Sequence, residues 1–247
     1  MQADVGCSLR ARGEVLMHPL QSQLYADHYN FLRLLTFLEA EIACYEANSL
    51  DMDNGRHARL AVVLDILDYI QTYPERWHHP LENAAFERLL IKQVPNSDQI
   101  WGLKSEHKKL EALTHKAMSL FASVANDVVV PVEELVKAAR EFIQRQQEHI
   151  SLENKLAYPL MTEYLSDTDW DDLGRQVSRK IDPLFGGEQN TGDAVATKTI
   201  EHSHLLDKDR ALHSEYRNLY KMIMQAERGV ATGVSARAKN YNQSARL

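Results

Sequence analysis

Cysteine is nearly absent from the 247 residues: Cys7 and Cys44 are too few and too far apart for a disulfide framework or a thiolate metal site. Any metal held by this chain would therefore be bound by nitrogen and oxygen. Long apolar runs are also missing, since stretches such as 61–64 and 128–132 fall far short of the roughly 20 residues a bilayer span requires. The first twenty residues have no signal-peptide core, being interrupted by Asp4, Arg10, Arg12 and Glu14, and a cytoplasmic location is expected. Basic charge is in deficit: 28 Lys and Arg stand against 35 Asp and Glu, a net charge of -7. That balance argues against nucleic acid or an anionic membrane as partner, because both select a basic face. Residues 228–246 are locally basic but carry only Tyr241 as an aromatic, which reads as a solvated tail.

What the chain does have is an ordinary globular composition, 44% hydrophobic and 26% charged, and enough length to bury a full core. Its apolar residues recur at three- and four-residue steps, and no run reads as a strand. Leu24, Phe31, Leu35, Leu38 and Ile42 mark a first helix over about 19–48, closed by a turn at Asn54-Gly55. A second carries Leu60, Val63, Leu64, Leu67 and Ile70, meets Pro74, where a kink or break is expected, and resumes to Val94. Ser97 or Asp98 is the expected cap of a third helix ending near Asn126. Pro131, Glu133 and Glu134 suit the start of a fourth, expected to run to about Tyr158 before Pro159.

Four long helices with short connections predict an all-α, up-down-up-down four-helix bundle with an additional C-terminal helical extension. The expected division is a tail at 1–17, the bundle at 18–165, a short helix and connection at 166–185, and a linker, helical appendage and basic tail at 186–247. The appendage, with Ile200, Leu205, Leu212, Leu219 and Ile223, offers a surface for self-association or for a protein partner.

Histidine is followed four residues later by glutamate three times: His78 and Glu82, His107 and Glu111, His149 and Glu153. Residues at that spacing share a helix face, so each pair can offer a nitrogen and a carboxylate to one point. The count alone is weak, but phase strengthens it. His149 falls in the series Leu135, Phe142, His149, Leu156; His28 lies with Leu24, Phe31 and Leu35; His107 lies with Leu103, Leu110 and Ala117. A lone histidine on an apolar stripe is more often a hydrogen-bonded core residue than a ligand. Four on four helices, two with an in-phase glutamate, favour a metal, because buried ionisable groups are costly unless something satisfies them. Such donors suit non-haem iron or manganese, and zinc less selectively. His18, His57, His79 and His115 lack that phase or partner and read as structural or exposed, as do His202, His204 and His213 on the appendage; Glu111 remains open as a ligand.

The segments Trp77-His78-His79-Pro80-Leu81-Glu82 and His149-Ile150-Ser151-Leu152-Glu153-Asn154, with Asp27-His28 and Glu106-His107, resemble in order and helix placement the hemerythrin-like HHE cation-binding family. The resemblance covers about residues 18–165. It implies two non-haem iron ions held by His28, His78, His107 and His149, bridged by Glu82 and Glu153 and by an oxo or hydroxo group. Oxygen-carrying hemerythrins place another histidine where this chain has Leu103, so reversible oxygen carriage is not the first expectation. Binding or reduction of oxygen, nitric oxide or peroxide at an open iron position is, in sensing or stress protection. Iron storage or donation, iron-sulfur repair and a metal-dependent regulatory role are the alternatives. A ferritin-like site is weaker, since only Glu75 to His78 has its spacing among the inward histidines.

Overall fold

A computed structural model describes residues 17–47, 55–178, 180–186 and 216–229. The expectations placed on 1–16, 48–54, 187–215 and 230–247 lie outside the described residues. Within them the regular structure is all helical: α1 (Pro19–Ala47), α2 (Gly55–Thr72), α3 (His79–Ile91), α4 (Ser97–Ala125), α5 (Val132–Leu152), α6 (Tyr158–Tyr164), α7 (Asp167–Gln176) and residues 217–229, here α8. Two single π-turns, Pro74–His78 and Glu153–Ala157, join α2 to α3 and α5 to α6. The second and fourth rods of the bundle are thus each two α-helices fused through a π-turn.

Helix α1 packs against α2 and α5, and α4 packs against α2, α3 and α5, so each rod touches its sequence neighbours and the ring closes from the fourth back to the first. That is the antiparallel bundle the periodicity predicts. One apolar end of the core is filled by Leu38, Ile42, Tyr45, Phe121 and Phe142, all 1% exposed or less.

At Pro74 the expected interruption is present, since α2 stops at Thr72 and the chain resumes through a π-turn, whereas Pro159, expected to close the fourth helix, does not end its rod. A proline ring inside an α-helix clashes with the carbonyl four residues back. For Pro80 and Pro159 that carbonyl belongs to Arg76 and Lys155, and both lie in the π-turns. There the bonds are one residue wider, His79 N–H to the Pro74 carbonyl and Tyr158 N–H to the Glu153 carbonyl. The extra residue makes room for the ring and shifts the phase of the helix downstream.

The third-helix cap also differs. Asn96, in the left-handed region at φ 61°, is the N-cap, and Ser97 is already helical with its hydroxyl bonded to the Val94 carbonyl. Helix α3 ends in a Schellman turn, with Gln93 at φ 54° and bonds from Gln93 N–H to Leu90 and from Val94 N–H to Leu89. Ser166 and Asp169 form a reciprocal capping box on α7, which packs on α1 and α3. Helix α8 lies back on the bundle: Leu219 and Ile223 are buried beside Tyr216, whose hydroxyl donates to Asp68, while Glu227 pairs with Arg33 at 2.8 Å. No helix among the described residues is long and apolar enough to cross a membrane.

Candidate metal centre

All six residues singled out in the sequence meet in the middle of the bundle, and each is 3% exposed or less. They form two triads, His28 with His78 and Glu82, and His107 with His149 and Glu153, in each of which the donor atoms lie within 4.8 Å of one another. The π-turns place two of them: His78 is the last residue of one and Glu153 the first of the other.

The glutamates tie the triads together. Glu82 Oε1 is 3.3 Å from both His28 Nε2 and His78 Nε2, while its Oε2 is 3.4 Å from His107 Nε2. Glu153 Oε1 is 3.3 Å from His107 Nε2 and 3.0 Å from His149 Nε2, and its Oε2 is 3.3 Å from His28 Nε2. Adjacent donors around one ion with bonds of about 2.1 Å lie roughly 3 Å apart, so these spacings are those of a coordination shell.

Each imidazole presents Nε2 inward because its Nδ1 is held from outside. His78 Nδ1 meets Asp27 at 3.0 Å, His107 meets Asn83 at 3.0 Å, His149 meets Glu106 at 3.1 Å and His28 meets Asn154 at 2.9 Å. Each outer acceptor is the chain neighbour of a different ligand. The first rod therefore orients a histidine on the second, the second on the third, the third on the fourth and the fourth on the first. This closed ring fixes tautomer and ring plane together.

The inner atoms are less well satisfied. His78 Nε2, His149 Nε2, Glu82 Oε2 and Glu153 Oε2 are buried without a hydrogen-bond partner. His149 Nε2 is close to Glu153 but not aligned with it for a hydrogen bond. An orphaned buried polar atom costs about 1–3 kcal/mol. A cation between nitrogen and carboxylate donors removes all four costs at once, so the residues fit a metal.

Electrostatics without an ion point the same way. Burial acts against charge at His28, His107, Glu82 and Glu153, but mutual attraction outweighs it. Against burial, contacts with Glu153 and Glu82 push the His28 imidazole up to about 10 and that of His107 up to about 9. Glu82 is held well below the ordinary carboxylate range against its burial, chiefly by His78. Glu153 is also held well below it, although burial and the Glu82 charge oppose this, because His149 and His107 win. Protons on imidazoles stand where a cation's charge would otherwise be.

Three neighbours are not among the ligands read from the sequence. His79 is buried flat on His107, with ring centroids 4.2 Å apart, and its Nδ1 has no partner; burial and the His107 charge depress its basicity strongly. Tyr158 donates to Glu82 Oε1 at 2.7 Å. Tyr73 reaches the Asp27 carboxylate at 3.2 Å. Asp27, Glu106 and Asn154 stood beside ligands in the motifs, and the repeated pair Glu82-Asn83 and Glu153-Asn154 was the sequence signal for the outer acceptors. Glu111 is half-buried and belongs to neither triad, Leu103 is in the apolar core, and His115 is largely exposed beside Glu75.

A helical bundle whose rods aim paired histidines and glutamates at a common centre defines a cation-binding helical domain. Residues 20–161 match the family model of the Hemerythrin HHE cation binding domain, and the chain belongs to that family. No curated protein matches the chain.

Proposed function

We propose that His28, His78 and Glu82 hold one iron ion, that His107, His149 and Glu153 hold a second, and that Glu82 and Glu153 bridge them. The unit concerned is residues 18–165, with 166–185 as connection and 186–247 as appendage. Its role is to bind or reduce oxygen, nitric oxide or peroxide, in sensing or stress protection. Bound iron would supply a redox couple and a coordination position left free by the protein donors.

The observation that carries this reading is a cavity of about 20 Å³ opening directly onto the donors, lined by His28, His78, His149 and Glu153. A cavity of that size admits about one water-sized molecule. Phe31, Leu34, Leu35, Ile70 and Ile150 form its apolar wall, which disfavours water and charged ligands, while Gln146 brings an amide to the rim. A diatomic such as oxygen or nitric oxide suits this volume and polarity, and peroxide suits the volume; a larger organic substrate suits neither.

The test is metal analysis of protein purified without added metal, followed by reduction and exposure to oxygen, nitric oxide or hydrogen peroxide. About two irons per chain and a visible absorption change with one of these ligands are expected. A colourless, zinc-containing protein with no spectral response would overturn the reading. Turnover of many equivalents of peroxide or oxygen, as against one binding event, would separate reduction from sensing.

A further inference from the structure

Tyr158 is fully buried, and its hydroxyl lies between two of the metal-facing atoms: it donates to Glu82 Oε1 at 2.7 Å and is 3.0 Å from His28 Nε2. We infer that Tyr158 is a further oxygen donor to the cation of the His28, His78 and Glu82 triad, an inference that rests on the metal-binding reading above. Adjacent donors of one ion stand about 3 Å apart. The phenol oxygen has that relation to two donors of the same triad, Glu82 Oε1 and His28 Nε2.

The ring is held in place from two directions. It stacks on the His28 imidazole, with centroids 4.6 Å apart and planes within 8°, so that the hydroxyl and Nε2 lie side by side. Tyr25 meets it edge-on at 4.7 Å. The backbone adds a third restraint, since Tyr158 closes the second π-turn through its bond to the Glu153 carbonyl. The wider turn that accommodates Pro159 thus also sets the position of the phenol.

No other tyrosine has this relation to the donors among the described hydrogen bonds: Tyr73 bonds Asp27 and Gln23, behind His78. At the other triad the ring stacked on the ligand histidine is His79, which belongs to neither donor group. The two ions would therefore differ, one with an added anionic oxygen and one without. Were Tyr158 to bind the ion, its Oη–H bond would break and the proton would leave to solvent, one per chain. A phenolate favours the more highly charged oxidation state at its own ion and leaves the other ion the freer to take a ligand.

The full-length chain is freed of metal, loaded with iron(II) without oxygen, then oxidised in air, and its visible band is probed by resonance Raman scattering. Tyrosinate ring modes, scaled to the iron each protein holds, are expected in the wild type and in Tyr25→Phe and Tyr73→Phe, with complete loss in the iron that Tyr158→Phe retains. Iron bound by the wild type without tyrosinate modes overturns the inference and leaves the metal site standing. Modes that persist in Tyr158→Phe, or vanish in Tyr25→Phe or Tyr73→Phe, also overturn it. If no iron binds to the wild type, it is the metal reading that fails. Should Tyr158→Phe not fold, tyrosinate modes that survive in both neighbouring variants and shift with fluorotyrosine incorporation still support the assignment.

Discussion

The two triads have the same donors and different surroundings. Behind His78 stands Asp27, 1% exposed, then Tyr73 and Gln23, and Tyr158 lies against the inner face of that triad. Behind His149 stands Glu106, whose side chain is 41% exposed and borders a groove of about 300 Å³ shared with Lys109, Arg145 and Glu148. Identical first contacts therefore do not make equivalent sites. Solvent reaches the outer partner of His149 and is excluded from that of His78; on the proposed reading the first triad would be the anchored one and the second the place where ions and protons exchange.

The largest effect should come from changes that ignore this difference. Each glutamate touches histidines of both triads. Glu82→Ala and Glu153→Ala are each expected to lose both ions, read as metal per chain by mass spectrometry. Loss of only one ion in either variant would mean that the carboxylates do not bridge. Single-histidine changes should separate the triads: His78→Ala and His149→Ala each weaken mainly their own ion, while His115→Ala, on the surface, retains both. Equal metal content in all three variants would sink the assignment of the ligands.

Next in size is the dependence on protons, which the triads share. Without metal, His28 and His107 carry protons up to about 10 and about 9, and an ion must displace both. Metal affinity should fall about tenfold per histidine for each unit by which pH drops below those values. Stability of the metal-free chain follows the opposite rule. A raised imidazole contributes its full stabilisation below 6.5 and loses it as pH climbs through 9 to 10. The depressed glutamates contribute above 4.5 and lose that contribution as pH falls further. Thermal melts should show the metal-free protein weakening between pH 6.5 and 10, with a widening gap to the metal-loaded form. A flat profile for the metal-free chain would contradict the imidazolium-carboxylate cluster.

The bundle, with His28, His107 and His149, was legible because it arises from helical phase, while His78, Glu82 and Glu153 were read from the four-residue spacing of histidine and glutamate. Leu24, His28, Phe31 and Leu35 are one stripe whether or not a metal is present, and the structure buries all four. Three features escaped phase. A π-turn adds a residue that no period of 3.6 contains, so Pro159 reads as a stop when the chain in fact widens and continues, and the interruption expected at Pro74 takes the form of such a turn. Tyr158, placed by that widening, could not be assigned to the centre from its spacing. His79 was set aside for lacking the stripe's phase, yet at the end of the first π-turn it is buried on His107. The outer acceptors were visible as residue types beside ligands; which histidine each would hold depends on how the rods pack and is not a property of any one helix.

The smallest effects bear on the contrast itself, through the two carboxylates that orient His78 and His149. Asp27→Asn keeps the shape and removes the charge behind His78 in a site closed to bulk solvent, where burial raises the Asp27 carboxyl against the pull of His78. Loss of such a partner typically weakens metal binding by about 10–100-fold, and Asp27→Asn should fall in that range by competition with a chelator. Glu106→Gln makes the same change at the exposed side, where water can take up the Nδ1–H bond and bulk solvent already screens the charge. Its effect on affinity should be only a few-fold, while metal release to the chelator becomes faster, because one wall of the groove beside His149 loses its charge. If Glu106→Gln weakens binding as much as Asp27→Asn does, exposure is not what distinguishes the triads. If Asp27→Asn is the milder of the two, the anchored site is the one that contains His149.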